Sequence, residues 1–152
     1  MSRTKLAGDA WGSVLRAHAL LVPRMDRELQ AQTGLPLRWF DVLLELDAAP
    51  EGRLTMTQLA DRVVLSRTRV SRVVDELAGA GLVARETNAQ DRRSAFAVLT
   101  PAGRAAFVGA APVYRGLIRG LFAGDLDDAE LTTIRDALGR VVDGAADPSP
   151  RA

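Results

Sequence analysis

The chain has 152 residues, enough for one domain with appended helices, and its 47% apolar and 26% charged content is that of a folded protein rather than a disordered one. Basic and acidic residues nearly cancel, 20 against 19 for a net charge of +1, so any affinity for nucleic acid must come from a local patch. The absence of cysteine excludes disulfides, thiolate metal sites and thiol chemistry, and a single histidine, His18, gives no basis for a zinc site. No apolar run approaches the roughly 18 residues of a membrane span, no signal-peptide pattern opens the sequence, and a cytoplasmic location is expected.

Residues 1–8 and 144–152 read as flexible tails, the second being short, polar and interrupted by proline. From about Asp9 to Thr33, Trp11, Val14, Leu15, Ala17, Leu21, Val22, Met25 and Leu29 recur at helical spacing. Pro23 is expected to kink or split that helix, and Gly34 with Pro36 to end it. A second helix covers about Leu37 to Ala48, with Phe40, Leu43, Leu44 and Leu46 toward its buried side, and Pro50-Glu51-Gly52 breaks it. Arg53-Leu54 fits a short strand, and Thr55 or Thr57 caps a short helix whose apolar positions are Met56, Leu59, Ala60 and Val63. After a turn at Val64-Leu65, Ser66 is expected to cap a helix from about Arg67 to the region of Gly79 and Gly81. Leu82 to Glu86 and Ser94 to Leu99 form a hairpin around a polar loop. Thr100-Pro101 opens a helix to about Phe122 with Pro112 near its middle. Asp125 or Asp127 caps a last helix to about Val142, carrying Leu131, Ile134, Leu138, Val141 and Val142.

The stretch from Leu65 to Thr100 points most directly at a partner. Between Arg62 and Arg93 lie seven arginines and no lysine, and no acid interrupts Arg67, Arg69 and Arg72. Arginine carries the planar fork that suits phosphates and guanine edges. At about 100° per residue, Val70, Val73, Val74 and Leu77 fall in one apolar arc, the core-facing stripe of a helix. Opposite stand Thr68, Ser71, Arg72 and Asp75, with Arg67 and Arg69 on the flanks. Hydroxyl and guanidinium groups at a helix N-terminus bond base edges or phosphates, and the helix end adds backbone N–H groups and a positive dipole. A short helix, a tight turn, this helix and a basic hairpin together form the layout of a winged helix-turn-helix, with one helix in the major groove and a wing beside it. The DNA-contacting candidates are Ser66, Arg67, Thr68, Arg69, Ser71, Arg72, Arg92 and Arg93, with one of the two wing arginines reaching DNA and Asp91 bracing the loop.

The segments LSRTRVSRVVDELAGAGLVARE and DRRSAFAVLTPAGR resemble the recognition helix, wing and following helix entry of the MarR family of bacterial winged helix-turn-helix regulators. The wing motif is carried by Asp91 and Arg93, and the helix entry by Leu99, Thr100 and Gly103. The helix order fits from about residue 9 to 143. The resemblance implies a mainly α fold with a small β-hairpin wing: a winged helix-turn-helix at 35–100, flanked by N- and C-terminal dimerisation helices at 9–33 and 101–143. It implies a homodimer on double-stranded DNA at a pseudo-palindromic operator, acting as a repressor, with release by a small aromatic or acidic effector. The apolar load of the terminal helices argues for the dimer independently, with Val113, Leu117, Ile118, Leu121, Phe122, Leu131, Ile134 and Leu138 as interface candidates; the same residues could instead form the monomer's own core.

An effector pocket would draw on Trp11, His18, Trp39 or Phe40 for stacking and on Asp41 or an arginine for polarity. Trp11 with Asp41 and Arg92 is similar to the purine-responsive members of the family. The preferred reading makes Trp39 and Phe40 core residues beside the helix-turn-helix and His18 a partly buried helix residue. No cofactor or metal is expected. Neither a phosphate-cradling Gly-rich loop nor a nucleophile motif is present, and Asp125, Asp127, Asp128 and Glu130 read as helix capping, so no enzyme is expected. The competing function is a winged-helix protein-interaction module, which would present an apolar or acidic face on the Ser66–Gly79 helix.

Overall fold

The computed structural model describes residues 2–64 and 69–146, which divide after Leu117 into two compact units. The first begins with α1, Arg3–Thr33. It starts six residues before the expected Asp9, because the Ser2 hydroxyl accepts the Lys5 N–H and Lys5 pairs with Asp9 one turn on. Residues 3–8 are therefore helix, not tail. Pro23 lies inside α1 without splitting it. The missing hydrogen bond and ring clash cost roughly 3 kcal/mol, and burial of Met25 and Leu29 just beyond offsets a cost of that order. Gly34 takes φ +76° and donates its N–H to the Gln30 carbonyl, which ends the helix as expected.

Helix α2, Leu37–Ala48, follows Pro36, whose side chain supplies no cap. The cap comes from α1 instead: an Asp26 carboxylate oxygen accepts the Leu37 N–H at 2.7 Å. Leu37, Phe40, Val42, Leu43 and Leu46 are buried, whereas Leu44 faces outward. A turn at Pro50–Gly52 leads to strand β1, Arg53–Thr55. Helix α3, Met56–Arg62, opens with a reciprocal cap in which Thr55 and Gln58 each bond the other's backbone N–H.

Helix α4, Val70–Gly79, buries Val70, Val73, Val74 and Leu77, the four positions of the apolar arc. Its end is a Schellman turn: Leu82 N–H bonds the Leu77 carbonyl, Gly81 N–H bonds that of Ala78, and Gly81 takes φ +74°. Strands β2, Val83–Thr87, and β3, Ala95–Leu99, each start one residue later than expected. They pair antiparallel with Arg85 opposite Ala97, and β1 pairs along the other edge of β3, giving the order β1-β3-β2.

Thr100 joins the wing to the next helix. Its hydroxyl donates to the Gly81 carbonyl at 2.7 Å and accepts the Gly103 N–H at 3.0 Å. Helix α5, Pro101–Leu117, accommodates Pro112 within it and packs against α1 and α2. Phe40 of α2 meets Phe107 and Tyr114 of α5 at ring-centroid distances of 5.3 and 4.7 Å. The core therefore sits where α2 crosses α4, α5 and the sheet.

The second unit starts with a π-helical segment, Ile118–Phe122, so the α-helix expected to reach Phe122 ends at Leu117. Helix α6, Asp128–Ala146, is capped reciprocally by Asp127 and Glu130, at 2.8 and 2.9 Å, and buries no residue. No helix among the described residues is long and apolar enough to cross a membrane.

Candidate nucleic-acid interface

The apolar stripe of α4 is held inward by four buried side chains, which leaves Ser71, Arg72 and Asp75 exposed on the other side. Arg69 occupies the N-cap position and is exposed. Ser66, Arg67 and Thr68, together with the expected Ser66 cap, lie outside the described residues.

The wing tip is held by local bonds. The Asn88 carboxamide oxygen accepts the Gln90 N–H at 3.0 Å, and an Asp91 carboxylate oxygen accepts the Arg93 N–H at 3.0 Å. The Asp91 carbonyl also accepts the Ser94 N–H. Two successive turns of this kind fix the loop backbone through side-chain acceptors, so Asp91 acts on the Arg93 main chain. Arg92 and Arg93 are both exposed at the tip.

Two contacts tie this surface to the rest of the fold, and the sequence reading missed both. Arg85 of β2 reaches α4, with its Nη2 atom 3.2 Å from the Ser71 carbonyl oxygen, 3.2 Å from the Ser71 hydroxyl and 2.8 Å from Asp75. On the far side of α4, Glu76 accepts the Trp39 indole N–H at 2.8 Å and two Arg38 N–H bonds at 3.1 and 3.0 Å. The Trp39 bond, followed by Arg38 and the nearby Arg72, holds the Glu76 carboxyl below its ordinary pKa against a smaller opposing effect of burial.

The residues considered for an effector pocket are dispersed. Trp11 and His18 stand exposed on α1, so His18 is not partly buried; in this stretch α1 buries no side chain. Trp39 is half-buried with its N–H engaged by Glu76, and Phe40 is a core residue at 2% exposure. Asp41 is buried, and burial together with its charge raises the pKa of Tyr114. A groove of about 300 Å³ where α1 meets α2 is lined by Val22, Pro23, Asp26, Leu37 and Arg38, and none of Trp11, His18, Trp39, Phe40 and Asp41 lines it. Among the described residues no group of three or more acidic or histidine side chains converges to hold a metal.

A short helix, a second helix with a polar outer face and a hairpin beside it define a winged helix-turn-helix protein. Residues 33–94 match the model of the MarR family. No curated protein matches the chain. Among solved structures it is similar to Sco3205, a MarR family transcriptional regulator from Streptomyces coelicolor solved in complex with DNA, with 30% identity over 95% of this chain and 90% of that one at TM-score 0.84. AbsC, a MarR family regulator from the same organism, is 29% identical over 96% and 97% of the two chains at TM-score 0.82. BpsR of Bordetella bronchiseptica, whose DNA binding is regulated by 6-hydroxynicotinic acid, shares the fold at 23% identity, covering 88% and 98% at TM-score 0.77. The chain belongs to the MarR family of transcriptional regulators.

Proposed function

We propose that this protein is a sequence-specific DNA-binding repressor that acts in the cytoplasm as a homodimer on a pseudo-palindromic operator. The observation that carries this reading is the outward face of α4, where Ser71 and Arg72 stand exposed beside Arg69 and next to a wing tipped by Arg92 and Arg93. An interaction module would present an apolar or acidic face there. Sco3205, solved with DNA, supports the assignment across nearly the whole chain. Apolar side chains left exposed within each unit support the dimer: Leu6, Trp11, Leu15 and Leu20 on α1, and Leu138, Val141 and Val142 on α6. A small aromatic or acidic effector would release the DNA. Trp39 is the candidate best connected for that role, because its N–H is bonded to Glu76 of α4, and a ligand group that accepted this N–H would compete with Glu76.

In vitro selection from random duplex DNA at roughly 0.1–0.15 M salt tests the reading, since purely electrostatic binding is weakened there. The expected result is an inverted repeat with half-sites about 10 base pairs apart, the spacing of successive major grooves. A folded protein that enriches no sequence would sink the DNA-binding assignment in favour of the interaction module.

A further inference from the structure

Arg85 lies at the centre of β2, yet its side chain is committed to α4 rather than to the wing tip. A guanidinium has no acceptor, so its contact with the Ser71 hydroxyl must use the serine oxygen as acceptor. The hydroxyl proton is left to point elsewhere, and Ser71 then presents a donor to whatever lies outside. The acceptors available in the major groove are guanine O6 and N7, adenine N7 and thymine O4, beside the phosphate oxygens. The Arg85 charge is matched by Asp75 at 2.8 Å, so the pair adds little net cation for phosphate. A second contact ties the three strands together: Arg53 of β1 lies over the Phe96 ring of β3 at 4.0 Å and 3.6 Å from Glu86 of β2.

We propose that Arg85 is a positioning residue that locks the wing strand to the first turns of α4 and orients Ser71 as a hydrogen-bond donor, so that it controls sequence discrimination rather than general DNA affinity. This role rests on the DNA-binding reading above. It separates the arginines of the surface into those that meet DNA and one that sets the frame between helix and wing. An exposed ion pair contributes little to stability, so losing it should leave the fold intact while freeing the two elements to shift.

The test compares the native protein with Arg85→Met, Arg85→Lys, Ser71→Ala and the Arg85→Met/Ser71→Ala double variant, on the selected operator and a scrambled duplex across a salt series. Arg85→Met is expected to lower the preference for the operator about tenfold, as contacting groups that act together do when uncoupled. Scrambled-duplex affinity, salt slope and Tm should stay near the native values, and Arg85→Met should cost little more once Ser71→Ala is present. Arg85→Lys, which keeps the charge but not the fork, should restore only part of the preference. Should Arg85→Met unfold the protein, Asp75→Asn provides the second variant and is expected to lower the preference in the same direction by a smaller factor. A salt slope reduced by about 0.9 with equal loss on both duplexes would make Arg85 a phosphate contact and overturn the proposal. Additive losses for Arg85→Met and Ser71→Ala, or native discrimination in Arg85→Met, would overturn it as well. These outcomes leave the DNA-binding reading standing, whereas a native protein that discriminates between no duplexes removes both.

Discussion

Gly103 packs its α-carbon against the Leu82 backbone, and a Cβ there would overlap the Leu82 carbonyl and crowd Leu99. The carbonyl cannot yield easily, because it also accepts the Thr100 N–H where the wing closes. Gly103→Ala should therefore cost about 1–3 kcal/mol, the usual range for overpacking, read as a lower Tm in calorimetry; an unchanged Tm would show that the α5 entry slides freely. The glycine of that motif was legible in the sequence, but the carbonyl it makes room for was not. Glu76 carries a pH dependence whose sign follows from its partners. Its folded pKa lies below the unfolded one, so the ionised form contributes stability that is fully present above the unfolded pKa. That contribution is lost as pH falls through the folded value. Urea midpoints should fall in acid below about pH 4.3, the usual glutamate value, and fall less steeply in Glu76→Gln. Identical acid profiles for the two proteins would argue against the Trp39–Arg38–Glu76 cluster as a stabilising contact.

At the scale of elements, the proposed function has α4 and the wing divide the work of binding. Arg72 is exposed on α4 and is the proposed base contact, so Arg72→Ala should weaken operator binding by about 1–3 kcal/mol with little effect on a scrambled duplex. Arg93 sits at the wing tip with its backbone held by Asp91, and Arg93→Ala should reduce the slope of log affinity against log salt by about 0.9. Titrations of both variants across salt separate the two effects; a base-specific loss for Arg93→Ala alone would reverse the roles. The apolar stripe of α4 was readable because a helix repeats over a few residues, and its end was readable because a left-handed turn favours glycine. The bonds that aim the helix were not readable. Trp39 and Glu76 are 37 residues apart, Arg85 and Ser71 are 14 apart, and neither pair shares a period or a motif. The early start of α1 escaped for the opposite reason: its cap and its Lys5–Asp9 pair are local, but no apolar stripe marks them.

For the whole molecule, the decisive feature is the apolar surface exposed on α1 and α6. Leu20 is 73% exposed and Trp11 61% exposed on α1, while α6 buries no side chain within its own unit. The proposed dimer would cover this area, so sedimentation equilibrium should find a dimer at micromolar concentration, and Leu20→Glu or Leu138→Glu should shift it toward monomer. A protein that stays monomeric at all concentrations would remove the two-fold symmetry that an inverted repeat requires. The sequence alone determined the element order, the buried stripe of α4, the cap at Thr100 and the basic character of the surface, while the choice between Asp125 and Asp127 as the last cap fell to the structure. Each of these depends on side chains within about one or two helical turns of one another. Tertiary structure decided which polar groups remain free to meet a partner. Arg85 is drawn to Ser71 and Asp75 because folding brings distant elements within hydrogen-bond reach, and Trp39 to Glu76 and Asp26 to the start of α2 because partly buried polar groups must also find partners there.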